Sequence, residues 1–463
     1  QGILVDRIGR QGEHLRQLLQ LASVVDERFS ARLLARMARD MEMPAPVSPA
    51  LEALGRAGLI RRRPDETYEF SHSMVRDAAY DTILQSGRQR LHGRVAEIME
   101  DIYSENLEDQ AASIAHHWAM AGEMDKAIPL AVRAMNGFVQ RGELEQAEEW
   151  LSRVERWLRE ISGSARFLVD WEVLRCRRGI YGVRSDLVRE AEELEKMSVL
   201  AEESMNPAWL AEAELQWGVH LHRKGELARA RSRIGTALDT ARRGGLPELR
   251  ARSLEALASL ERLAGDAALA ADLMKRAVEI WEDLGREVDM ARATTALAGM
   301  SQKLLGSEAT MDLYRQALAL SRESGLKQME ATVLYRMAEF SKLTGRHEIA
   351  LEKASKGLAI CRAIGESYRE CEFLRMMGQL YFRRGDYDRA QKALEQALFT
   401  SRQKRLTGLE APILGSMGPL MRASGRVAEA VRVTESAPEI AMAERGARMP
   451  ARRPGTYPSP ARR

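Results

Sequence analysis

The chain has 463 residues, with 70 Lys and Arg against 67 Asp and Glu, and it is 45% hydrophobic but only 5% aromatic, a balance that suits long amphipathic helices and excludes general disorder. Its formal charge of +3 comes from the last nineteen residues, which carry six Arg and no acid, so the remainder stands at −3 and no nucleic-acid-binding face is expected. Three cysteines without CxxC spacing argue against a disulfide framework or zinc site, and no apolar run of about eighteen residues or signal peptide appears, so a cytoplasmic protein without a membrane segment is expected.

Residues 1–103 read as a domain of their own. Leu15, Leu18, Leu19 and Ala22 mark a first helix, and Phe29, Leu33, Leu34 and Met37 a second after a Ser30 cap. Pro44, Pro46 and Pro49 break the chain, Ser48 is placed to cap a third helix through Leu51 and Leu54, and Gly58 to end it. LIRRRPDETYEFSH then predicts two short strands around Pro64-Asp65-Glu66, with strand confined to residues 59–71, and helix resumes over Met74–Tyr80 and from Gln89 to about Tyr103. Three helices followed by a hairpin outline a winged helix. The chain opens at Gln1 inside that pattern and is expected to be part of a longer protein.

The residues F-S-H-S-M-V-R-D-A-A-Y at 70–80, followed by R-Q-R-L-H-G-R-V-A-E, resemble the winged-helix segment behind the nucleotide-binding core of bacterial signal-transduction ATPases with numerous domains, including those fused to class III adenylate cyclases or protein kinases. The opening ILVDRI…LRQLLQLASVV and IAHHWAMAGEMDKAIPLAVRA at 114–134 are similar to the flanks of that segment, so the resemblance covers roughly residues 2–135. It implies an upstream nucleotide-binding domain as partner, with ATP or ADP bound there and no cofactor in this chain. It also implies that His72, in the F-x-H motif, touches the bound diphosphate and holds the resting state, a contact that a charge-assisted imidazole donor suits. The alternative for His72 is a cap on the helix that follows it. Arg76 and Tyr80, in the same motif, are expected to fix helix packing.

From 104 to 440 the chain turns about every twenty residues. Gly225, Gly265, Gly345, Gly385 and Gly425 are spaced by 40 or its multiples, and Gly245, Gly285, Gly325 and Gly365 fall halfway between them. This period predicts a solenoid of helical hairpins. Gly378, Tyr381, Gly385, Tyr387, Ala390, Leu394 and Ala397 resemble the tetratricopeptide repeat, with helices longer than that repeat's usual ones. The pattern degenerates over 140–205, and a three-residue insertion near Asn206-Pro207 is expected to restore its phase. Residues 441–463 are expected to form a disordered basic tail rich in Pro and Arg.

The fold class expected is therefore all-α, a winged helix followed by a tetratricopeptide-like superhelix. No GxxxxGK[ST], HExxH, GxSxG or kinase motif is present, so no catalytic residue is assigned and the chain is not expected to be an enzyme. His116-His117 and His220-x-His222 are badly oriented to chelate one ion along a helix, which favours packing roles over a metal site. The tryptophans 150, 157, 171, 209, 217 and 281 are read as packing residues, and Arg61-Arg62-Arg63 either meet phosphate or solvate the hairpin tip. The function expected is a regulatory arm whose repeats bind a protein or peptide ligand and relay its presence through the winged helix. A DNA-binding transcription regulator and a passive repeat scaffold are the alternatives.

Overall fold

The structure, a computed structural model, describes residues 8–43, 46–65, 67–104, 107–158, 164–302, 304, 306–404, 406 and 408–432. The expected tail at 441–463, together with Pro44, Glu66 and Leu305, lies outside the described residues. Two compact units divide at Val183 and Arg184, so the first extends well past residue 103. Among the described residues no helix is long and apolar enough to cross a membrane.

The first unit opens with α1 (Glu13–Val25), β1 (Arg28–Ser30), α2 (Ala31–Asp40), α3 (Val47–Arg56), β2 (Ile60–Arg62), β3 (Thr67–Phe70), α4 (Ser73–Asp81) and α5 (Gln85–Ile102). The Ser30 hydroxyl caps α2 by accepting from the Leu33 amide at 3.0 Å, as its place in the sequence suggests. Ser48 does not cap α3: the helix begins at Val47 behind Pro46, whose ring already fixes an extended entry. Gly58, at φ 68°, turns the chain after α3. The sheet has three strands rather than two, in the order β1-β3-β2, both pairings antiparallel. Arg28 to Ser30 form a strand outside the expected 59–71 because Phe29 docks beside Tyr68 and Phe70, with ring centroids 6.1 and 5.6 Å away.

The same unit continues through α6 (Leu107–Ala121), α7 (Met124–Arg141), α8 (Leu144–Trp157) and α9 (Ser164–Val183). A single apolar core joins Leu19, Leu34 and Leu54 near the sheet to Ile114, Ala131 and Val154 in these later helices. That continuity is why residues 104–183 belong with the first unit.

The second unit opens with α10 (Leu187–Ser204) and runs on as antiparallel helix pairs, α11 (Pro207–Arg223) with α12 (Leu227–Arg243), α13 (Pro247–Ala264) with α14 (Ala267–Asp283), α15 (Glu287–Ser301) with α16 (Ser307–Glu323), α17 (Lys327–Leu343) with α18 (His347–Ile364) and α19 (Ser367–Arg384) with α20 (Tyr387–Gln403), followed by α21 (Glu410–Ala423). The turns at Gly225, Gly245, Gly265, Gly285, Gly325, Gly345, Gly365, Gly385 and Gly425 repeat one backbone solution. After α19, Gly385 adopts φ 83°, the Asp386 amide reaches back to the Tyr381 carbonyl at 3.0 Å, and the Asp386 carboxylate caps α20 through the Arg389 amide at 3.2 Å. Ala230, Ala270, Ala350 and Ala390, spaced in forties, are fully buried where the paired helices meet. A β-carbon on Gly378 would lie 2.6 Å from Leu394 Cγ, and one on Gly218 would lie 2.2 Å from Ile234 Cγ1. These are equivalent places four repeats apart.

The structure corrects the expected phase of the repeat. Met205 and Ser185 occupy the left-handed region at φ 50° and 57°, so the twenty-residue rhythm runs back through both without a break at Asn206-Pro207. The additional three residues lie earlier, because Gly142 and Ser185 are 43 apart where two turns would take 40. Two side chains carrying a turn that glycine usually makes left the pattern looking degenerate.

Candidate functional site

His72 stands at the N-cap of α4 in extended backbone, φ −151° and ψ 143°. Its ring is exposed and makes no capping hydrogen bond, so of the two roles open to it from sequence the capping one finds no bond in this structure. Arg76 and Tyr80 turn inward instead. The Arg76 Nε donates to the Ser23 carbonyl at 3.2 Å, tying α4 to α1, and the Tyr80 hydroxyl meets His92 Nε2 on α5 at 3.0 Å. On the hairpin, Arg63 donates to Glu69 at 2.6 Å, and Arg28, Glu69 and Arg61 stand side by side across the three strands.

Behind Tyr80 lies a buried histidine pair. His92 and His117 are both within the core of the first unit, with their Nδ1 atoms 2.8 Å apart and the His116 ring edge-on to His92 and tilted against His117. Burial, reinforced by His116 and Arg76, holds His92 down at about 4 and His117 at about 3, so both rings are neutral near pH 7. Burial also lowers His116, with Arg153 adding to the effect. Among the described residues no group of three or more His, Cys, Asp or Glu is arranged to hold a metal ion. His220 is instead buried against the Glu190 carboxylate at 2.8 Å, and Arg223 closes on the same carboxylate. Trp281 and Trp171 are buried as packing residues, and Trp217 donates to the Ser198 hydroxyl at 3.0 Å.

In the second unit the first helices of neighbouring pairs pack side by side, α11 on α13, α15 on α17 and α17 on α19, while α13 and α15 approach less closely. A cavity of about 580 Å³ opens there across α13, α15 and α17. Its lining follows the forty-residue register: Ser259, Gly299 and Glu339 make one row, and Ala296 and Arg336 a second. Small residues on α13 and α15 leave the space, and the larger Arg336 and Glu339 bound it on α17. Tyr314 rises from the second-helix layer to the floor, where its hydroxyl accepts from Gln302 at 3.2 Å. A neighbouring cavity of about 380 Å³, between α11, α13 and α15, shares Ser259 and Arg292 with it. None of these lining residues stands out in the sequence, since the period that aligns them is legible mainly in the glycines of the turns.

Residues 329–399, which cover α17 to α20, match the tetratricopeptide repeat family. No curated protein matches the chain. Among solved structures, the chain is similar to a Signal Transduction ATPase with Numerous Domains (STAND) protein with a tetratricopeptide repeat sensor, from Pyrococcus horikoshii, at a TM-score of 0.56 and 14% identity. That likeness covers 94% of this chain and 64% of the other, so this chain spans under two thirds of that protein's length. The apo form of RapI gives a TM-score of 0.49 at 12% identity, covering 69% of this chain and 97% of that one. The apo quorum sensor NprR from B. thuringiensis gives 0.48 at 12%, covering 74% and 99%. These similarities are of fold alone.

Proposed function

We propose that this chain is the regulatory, ligand-sensing arm of a multidomain signalling ATPase of bacterial type acting in the cytoplasm. In this reading residues 1–103 are a winged helix that restrains an upstream nucleotide-binding domain, and the tetratricopeptide-like pairs take up a protein or peptide ligand. ATP or ADP is held by the upstream domain, to which an adenylate cyclase or kinase output can be joined, and no catalytic step is assigned to this chain. The observation that carries the proposal is the likeness, over 94% of the chain, to a STAND protein with a tetratricopeptide repeat sensor. The strand order β1-β3-β2 beside three helices supports the winged-helix assignment, and the exposed ring of His72, which makes no capping bond, is consistent with the diphosphate contact proposed for it.

A sensor of this kind works by differential affinity: the ligand shifts the balance only as far as it prefers the released state to the restrained one. The test is ATP turnover by the intact protein with and without residues 184–432. Ligand-dependent control that disappears with the repeats supports the proposal, and control that survives their removal overturns it. The DNA-regulator alternative is disfavoured by α3, whose Arg56 has its charge partner, Glu52, on the same helix at 4.0 Å.

A further inference from the structure

The ion pairs of the first-helix face in the second unit do not balance. Every acid that lines its two cavities is already neutralised: Glu255 by Arg292 at 2.5 Å, Asp289 by Arg292 at 3.1 Å, and Glu339 by Arg336 at 3.0 Å. Five cations on α13, α17 and α19 have no ion pair among the described residues, Arg250, Arg262, Lys342, Arg375 and Arg383, and three of them bear on a ligand. Arg262 on α13 lines the larger cavity with no ion pair. Lys342 on α17 donates to the amide oxygen of Gln379 at 3.0 Å, a neutral acceptor. Arg375 on α19 has a buried Nε with no acceptor at all.

Lys342 and Arg375 also repel one another. Lys342 is held below the usual lysine range, first by burial and then by Arg375 and Arg383, with Glu339 opposing in part. A half-buried ammonium facing two guanidiniums costs free energy that an anionic ligand would recover. The register helps place that ligand. Arg262 and Lys342 stand on helices two steps apart along the face, roughly 20 Å by the usual spacing of packed helices, a distance that about six extended residues span.

Building on the proposal that the repeats bind a peptide, we infer that the first-helix face from α13 to α19 takes an extended acidic peptide, whose carboxylates are received by Arg262 at one end and by Lys342 and Arg375 at the other. Between these ends Ser259, Ala296 and Gly299 leave room for the peptide backbone. The Ser259 hydroxyl offers it a hydrogen bond at the floor.

The probe is a fluorescein-labelled peptide of about twelve residues alternating Glu and Ser, twice the estimated span, with a Gln-for-Glu version as the neutral comparison. Anisotropy with the full chain is expected to show the acidic peptide bound at least about tenfold more tightly than the neutral one, and about tenfold more weakly by Arg262→Glu/Lys342→Glu. Arg242→Glu/Lys392→Glu, which makes the same change of charge on second helices, is expected to leave binding within about twofold, which separates this face from the basic tail. Arg262→Lys/Arg375→Lys keeps the charge and the fold and is expected to retain most of the affinity. Equal affinity for the two peptides, or equal loss in both double variants, overturns the inference. Tighter binding of a single-stranded oligonucleotide that is lost in the same variant overturns it in favour of nucleic acid. Ligand-dependent control of ATP turnover is a separate readout, so failure here with that control intact rejects the acidic ligand alone.

Discussion

Nδ1 of His92 and Nδ1 of His117 lie 2.8 Å apart in the core of the first unit, so one ring donates and the other accepts. Nε2 of His92 lies 3.0 Å from the Tyr80 hydroxyl. Tyr80, His92 and His117 thus link α4, α5 and α6 through polar contacts, with both imidazoles neutral near pH 7.

This arrangement predicts an acid-sensitive first unit. The folded-state values of about 4 and 3 lie below the ordinary 6.5, so the unfolded chain binds more protons between those limits. The stability is complete above pH 6.5 and is lost as pH falls toward the folded values. At pH 5.5 the two rings together should cost on the order of 2–3 kcal/mol relative to pH 7.5. Urea midpoints at the two pH values check this, and His92→Phe/His117→Leu should show a shallower change whatever its stability at pH 7.5.

The tight approach of paired helices predicts a second effect. Ala390 is fully buried, and Gly378 has Leu394 where its β-carbon would be. Ala390→Trp or Gly378→Val should destabilise the second unit by about 1–3 kcal/mol through overpacking. A thermal midpoint unchanged in both variants would show that the helices do not meet there.

Met205 offers the opposite prediction. It is exposed at φ 50°, in a turn that elsewhere carries glycine. Met205→Gly relieves left-handed strain of about 1–2 kcal/mol at an entropic cost of roughly 0.5–1 kcal/mol, so a net gain of up to about 1 kcal/mol is expected. Gly225→Ala, at φ 81°, should lose about 1 kcal/mol. Chemical denaturation of both variants beside the parent chain tests the pair.

His72→Ala separates a signalling role from a structural one. The ring is exposed and makes no capping bond, so thermal stability should change by less than about 0.5 kcal/mol. If His72 reads the diphosphate, the intact protein should bind ADP roughly tenfold more weakly and turn over ATP faster without ligand. Unchanged ADP affinity would remove His72 from the site.

The readable parts of this fold are those set by local chemistry. Gly225, Gly265 and Gly385 announce their turns because a left-handed residue is needed there, and Ser30 announces a helix start because its hydroxyl meets an amide three residues on. Long-range partnership is less visible. Arg28–Ser30 is too short to read as a strand and exists because β3 supplies its partner. His117 can be seen in the sequence, but its neighbour His92 lies 25 residues away and only the packing of α5 on α6 joins them. Arg262, Lys342 and Arg375 are legible as a set only once the helices carrying them are packed together, since each looks like an ordinary surface charge along its own helix.

The forty-residue spacing has a consequence for how such a chain can change. Each pair is closed by its own turns and touches chiefly the pairs beside it, and Ala230, Ala270, Ala350 and Ala390 fill interchangeable places. Unequal crossing-over between the coding segments of two pairs therefore adds or deletes a whole hairpin and rejoins surfaces that already fit. Array length can drift in complete steps while the pairs on either side keep their structure, and the reach of the binding face becomes a trait that recombination sets more readily than point mutation.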